Sequence, residues 1–143
     1  MPGSKLSAYT MGVVDEVKKL EKGGQLYLEG RIKFSSCNVQ AKKYRAIGDQ
    51  ANVDHFMGYA QRGIKLMERG QAQAQNAAKT LMIGMKVLGD HLEAYDPAQK
   101  KNGKPMTPAE IGLRQKKKDD GLKAIASAEK TLRITLKIME VAP

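Results

Sequence analysis

The chain has 143 residues and carries 25 Lys and Arg against 15 Asp and Glu, a formal net charge of +10. Its length suits one domain, and 41% hydrophobic with 28% charged residues exclude a compositionally disordered chain. Trp is absent, and five Tyr and two Phe are too few aromatics for a typical β-sandwich core. We therefore expect an all-α protein that forms a single helical domain over residues 1–143.

The first predicted helix covers residues 5–22. Its apolar residues, among them Leu6, Val13 and Leu20, follow one another at helical spacing. Lysines occupy the last turn, where the helix dipole favours cations, and the pair Gly23-Gly24 predicts the end of the helix.

Residues 26–47 allow two interpretations. Apolar and more polar residues alternate over 26–34, which is typical of a half-buried strand. The residues from Cys37 to Ile47 are rich in helix formers and favour a helix instead. Because residues 131–141 also alternate, a short β pairing of 26–34 with 131–141 is the competing prediction.

The longest predicted helix covers residues 50–95, after a stop and restart at Gly48-Asp49. From Val53 to Tyr95 one side of the chain keeps a coiled-coil-like heptad pattern without a slip. Beside it, small residues repeat at seven-residue spacing: Gly63, Gly70, Ala77 and Gly84. The alternative is a hairpin that folds back at Gly70.

An apolar seam lined by small residues predicts the close approach of another helix. At 1.5 Å per residue it would be roughly 65 Å long, more than a small globular domain needs. We therefore expect copies of the chain to associate along it. The predicted self-association seam consists of Met57, Ala60, Ile64, Met67, Gly63, Gly70, Ala74, Ala77, Ala78, Leu81, Gly84, Met85, Leu88 and Leu92.

A basic loop is predicted over residues 96–106, because a proline follows Asp96 and disfavours helix in the residue before it. Thr107-Pro108, with Glu110 two residues further on, is a capping-box signature and predicts a helix over residues 107–141. The expected architecture is an elongated helical bundle or hairpin with one long central helix.

Two basic zones flank the seam and predict affinity for polyanions. A Lys-rich surface that keeps an apolar protein in solution is the simpler interpretation. Since no base-reading motif is present, we expect any nucleic-acid binding to be sequence-nonspecific and to use the phosphate backbone. Tyr44 is the one aromatic residue among the basic ones. The candidate polyanion-binding residues are Arg31, Lys33, Lys42, Lys43, Arg45, Lys100, Lys101, Lys104, Arg114, Lys116, Lys117 and Lys118.

Catalytic chemistry has little support in the sequence. His55 and His91 are the only histidines, and one continuous helix would hold them far apart. Cys37 is the only cysteine, so no internal disulfide can form. We expect no enzyme activity, no catalytic residue, no metal site and no cofactor.

These patterns predict a non-enzymatic structural protein that self-associates into a homo-oligomer or filament, as in a virion, a secretion apparatus or a surface filament. The alternative is a nucleic-acid-binding or packaging protein. Neither a signal peptide nor a stretch of transmembrane length is visible. We expect a soluble protein that does not act at membranes and is cytoplasmic or assembled into a virion or secreted structure by a signal-less route.

Overall fold

The computed structural model of the chain describes residues 2–98 and 103–140, with side chains from residue 5 onward. Three long helices account for most of these residues: α1 (Pro2–Ala46), α2 (Gln50–Ala94) and α3 (Pro108–Glu140). The all-α expectation is confirmed, and the described part of the chain contains no strand. The chain divides into two compact units, and each unit takes part of all three helices.

The structure of α1 differs from the prediction in two respects. The helix does not end at Gly23-Gly24 but continues to Ala46, because both glycines are buried against neighbouring helices. Residues 26–34 are helical, as are residues 131–140, so the predicted β pairing is not found; residue 141 lies outside the described part. In place of the alternation of a strand, residues 23, 24, 27 and 30 are buried, which is helical spacing.

The turn between α1 and α2 forms where the glycine predicts it. Gly48 has a φ of 75°, a left-handed conformation that glycine adopts at little cost. Its neighbour Asp49 donates its backbone N–H to the Tyr44 carbonyl (3.0 Å) and accepts the Asn52 N–H on its carboxylate (3.2 Å). The same aspartate therefore closes one helix and caps the next. α2 then runs through Gly70 as one helix rather than folding back there.

The first unit contains residues 1–18 and 77–132. Its most deeply buried large side chains are those of Leu6 and Val13 on α1 and of Leu81 and Leu88 on α2. On α3 the buried residues are small, and they repeat at steps of three and four: Gly121, Ala124, Ala128 and Thr131. Leucine and valine from two helices are thus covered by a third helix with short side chains.

The start of α3 follows the capping prediction. The Thr107 hydroxyl accepts the backbone N–H of Glu110 (3.3 Å), which satisfies one of the free donors in the first turn. Pro108 is the first helical residue.

The second unit contains residues 19–76 and 133–143, described up to Glu140. Within it α1 and α2 are antiparallel, since Gly30 lies against Gly63 while Gly23 lies against Gly70. α3 ends beside α1, where its last carbonyls accept hydrogen bonds from Arg31 (2.9 Å, to Ile138) and from the Tyr27 hydroxyl (3.4 Å, to Met139).

Candidate assembly and polyanion-binding surfaces

The predicted self-association seam lies inside the chain. Nine of its fourteen residues are buried: Ala60, Gly63, Met67, Gly70, Ala74, Ala77, Leu81, Leu88 and Leu92. The other five are half-buried: Met57, Ile64, Ala78, Gly84 and Met85. Packing within the chain therefore already covers the seam residues. Association of copies along this seam stays a prediction, and it would require the helices of one chain to separate first.

Four glycines bring the backbones of α1 and α2 into direct contact in the second unit. A Cβ placed on Gly63 would lie 2.7 Å from the carbonyl oxygen of Gly30. A Cβ on Gly70 would lie 2.5 Å from the carbonyl oxygen of Gly23 and 2.5 Å from the backbone nitrogen of Tyr27. Real Cβ contacts are longer than this. At these levels the two helices therefore pack at a distance that only glycine permits.

The glycines of α1 carry a sequence signal for this pairing that the heptad pattern of α2 alone does not contain. Gly23 and Gly30 on α1 repeat at the same seven-residue spacing as Gly63 and Gly70 on α2. The prediction that the helix ends at Gly23 is wrong, and of the two interpretations of residues 26–34 the helix is found and the strand is not. The matching spacings of the two glycine pairs were the available signal that α1 and α2 are partners.

Many large apolar side chains lie on the surface. Among the described residues, eleven apolar side chains larger than Ala are buried and twelve are exposed. The exposed ones are Tyr9, Met11, Ile32, Val39, Ile47, Met82, Ile83, Val87, Leu113, Leu122, Ile134 and Leu136. In the second unit the contact between α1 and α2 buries Gly and Ala at several positions where a typical helical bundle would bury Leu and Ile.

One group of these exposed side chains is compact and flanked by charge; we call it the outer α2 face, residues 79–90. Met82 and Ile83 are adjacent and Val87 lies one turn further on; they are 64%, 68% and 41% exposed. Lys79 precedes them and Asp90 follows them, and both are exposed. Asp90 is 3.9 Å from Lys86 in a solvated pair of the kind that contributes little to stability.

The first basic zone contains both structural and exposed cations. Arg31 is half-buried and holds the end of α3 through its guanidinium. The ammonium of Lys33 lies 5.7 Å from the centre of the Tyr59 ring. Three predicted polyanion-binding residues are exposed at the end of α1: Lys42, Lys43 and Arg45.

Aromatic rings from α2 join this zone. Tyr44 stacks on Phe56 with ring centres 5.6 Å apart and planes 11° from parallel. His55 meets Tyr59 edge-on at 4.8 Å, and Arg62 lies 5.0 Å above the Tyr59 ring. From the sequence, only Tyr44 is predicted to join the basic residues here. The aromatic residues of α2 fall in a segment whose heptad pattern predicts a packing seam. Their spacing over residues 55–62, one side of a helix, was the available signal.

The second basic zone performs a structural task at the end of α2. Arg114 donates to the Tyr95 hydroxyl (3.1 Å), and its guanidinium lies 5.0 Å from the centre of that ring. Lys118 donates to the Tyr95 carbonyl (3.4 Å), which places a cation at a helix C-terminus. Lys104, Lys116 and Lys117 are exposed, while Lys100 and Lys101 lie outside the described residues.

The residues with catalytic potential are placed among aromatic side chains. His91 packs edge-on against Tyr9 at 5.4 Å and is half-buried, whereas His55 is exposed. Over residues 2–98 and 103–140, no group of three His, Cys, Asp or Glu is arranged to hold a metal ion. Nor does any helix in this part of the chain have the length and apolar character needed to cross a membrane.

Comparison with known proteins gives no relative. No protein-family model matches the chain, and neither a curated protein nor a solved structure resembles it significantly. The function must therefore be inferred from the surfaces of the chain itself.

Proposed function

We propose that the protein is a non-enzymatic helical building block that self-associates into a homo-oligomer or filament. The placement of the apolar residues carries this proposal. Large apolar side chains lie on the outside of the folded chain, among them Met82, Ile83 and Val87 on α2. Exposed apolar surface of this kind is characteristic of protein–protein contacts. Burial of these side chains between copies would supply the driving force for assembly.

We assign the first contact between copies to the outer α2 face. Its charges suit a two-fold contact, in which the same surface is used by both copies. If two copies align this face in antiparallel fashion, Lys79 of each comes opposite Asp90 of the other. The same alignment places Met82 opposite Val87 of the other copy and Ile83 opposite Lys86. The weak pair of Asp90 with Lys86 within one chain is easily exchanged for the new one.

The test is the molar mass in solution by light scattering coupled to size-exclusion chromatography at micromolar concentration. We expect an oligomer for the native chain and a monomer for Met82→Asp, because the substitution places an unpaired charge opposite the apolar Val87 of the other copy. Leu113→Asp is the matched control, since Leu113 is 65% exposed in the same unit against 64% for Met82. The control should leave the mass unchanged.

Charge exchange tests the antiparallel arrangement. Lys79→Asp and Asp90→Lys should each weaken association, because each places like charges opposite one another. The double substitution should restore it. A native chain that stays monomeric, or a Met82→Asp variant as oligomeric as the Leu113→Asp control, would contradict the proposed function.

A further inference from the structure

The turn end of the second unit carries a surface that the assembly proposal does not use. We define the hairpin surface by its cations and rings: Lys33, Lys42, Lys43, Tyr44, Arg45, His55, Phe56, Tyr59 and Arg62. A continuous series of ring contacts links Tyr44 through Phe56 and His55 to Tyr59.

Charge around this surface is strongly positive. Residues 31–65 contain seven Lys and Arg and two acidic residues. Both carboxylates are engaged locally: Asp49 caps α2, and Asp54 accepts a hydrogen bond from Gln50 (2.8 Å). The surface therefore attracts anions, and its five cations are spread along both helices.

The rings add a second kind of contact. Single-stranded nucleic acids bind where cations follow the phosphates and aromatic side chains stack on the bases. His55 is exposed, and Tyr44 and Tyr59 are half-buried beside exposed cations. In a duplex the base faces are already stacked, so such rings would contribute nothing to duplex binding.

We propose that the hairpin surface binds single-stranded nucleic acid without sequence preference, through its cations on the phosphates and its rings on the bases. Backbone contacts and stacking do not distinguish sugars, so DNA and RNA of equal length bind alike. Binding weakens with salt: four phosphate contacts to a single strand predict roughly a 50-fold loss of affinity between about 50 and 200 mM salt.

The first experiment measures fluorescence anisotropy of a labelled oligothymidylate of about 20 nucleotides, against a duplex of the same length, at about 50 mM salt. The triple variant with Lys42, Lys43 and Arg45 changed to Gln should bind more weakly and show a salt slope lower by about two. The matched control changes three exposed lysines of the other basic zone to Gln: Lys104, Lys116 and Lys117. It removes the same charge and should keep native affinity.

Ring contacts are tested separately. His55→Ala and Tyr59→Leu should each lower single-strand affinity roughly tenfold while leaving duplex affinity unchanged. Because Tyr59→Leu could also disturb packing, photo-crosslinking of native protein to a bromouracil-substituted strand gives an independent measurement. Crosslinks should map to residues 44–59 by mass spectrometry.

Several results would overturn the inference. These are no binding at low salt, equal losses in the two triple variants, duplex binding as tight as single-strand binding, or crosslinks confined to Tyr9 and Tyr95. Binding to anionic lipid vesicles without binding to oligonucleotides would overturn it as well.

Discussion

Replacing Gly70 with Ala should destabilise the protein, whereas the same substitution at Gly58 should stabilise it. Both glycines lie within α2, so Ala gains about 1 kcal/mol of helix propensity at either position. At Gly58 an added Cβ meets nothing within 4 Å. At Gly70 the Cβ would lie 2.5 Å from backbone atoms of Gly23 and Tyr27. Comparing the two variants therefore separates the effect of helix propensity from the effect of packing between α1 and α2.

The size of the effect follows from these distances. An ordinary carbon contact is about 3.5 Å or longer, so the two backbones must separate by about 1 Å near Gly70. A gap of that size forfeits a quarter to a half of the dispersion energy between the facing surfaces. Overpacking a core costs about 1–3 kcal/mol, and helical backbone cannot rotate away as a side chain does. We use the upper end of this range, about 3 kcal/mol. Subtracting the gain in helix propensity of about 1 kcal/mol leaves a net loss of about 2 kcal/mol in the free energy of unfolding.

Equilibrium unfolding in urea, followed by far-UV circular dichroism, measures both variants. Gly70→Ala should lower the free energy of unfolding by about 2 kcal/mol and the Tm by about 4–8 °C. Gly58→Ala should raise the free energy by about 0.5–1 kcal/mol. If both variants are stabilised alike, the helices are not packed through Gly70, and the account of the small-residue core is wrong.

Substitutions at three further positions test the helix ends. Thr107→Ala should lower the free energy of unfolding by about 1 kcal/mol through loss of the α3 cap, and Thr107→Ser should restore it in the same urea assay. Arg31→Met keeps the apolar stem of the side chain but removes the hydrogen-bond donor to the Ile138 carbonyl. Amide hydrogen exchange should therefore become faster over residues 134–140, whereas the exchange rates at the start of α3 should not change. Gly48→Ala should cost about 1–2 kcal/mol because of the positive φ, whereas Gly48→Asn should cost less; equal losses would remove the conformational explanation.

The elements that the sequence predicted well are those whose signals are local. The heptad pattern gave α2, and Thr107-Pro108 gave the start of α3, since a cap and its first turn are neighbours in the chain. The pair Gly48-Asp49 likewise specifies its own turn by its own chemistry.

The elements that could not be predicted from the sequence depend on contacts between residues far apart in the chain. Gly23 and Gly24 carry a local penalty that predicts a helix end, but Gly23 contacts Gly70, far along the chain, and close packing there compensates for the penalty. The apolar outer face of α2 is missed for a different reason. The heptad pattern places Leu81 and Leu88 inside, as found, but it does not include Met82, Ile83 and Val87, which lie on the outside.

The two proposals use different residues of α2, and joining them gives a prediction that neither makes alone. If assembly brings several hairpin surfaces together, a long strand can bind two copies at once, and its second contact becomes intramolecular. A strand of about 10 nucleotides reaches only one surface. Met82→Asp should therefore leave the affinity for the short strand unchanged but lower the affinity for a strand of about 60 nucleotides by at least tenfold. The hairpin triple variant should weaken both. Equal affinity of native protein and Met82→Asp for the long strand would show that assembly and nucleic-acid binding are independent, because only linked surfaces gain from length.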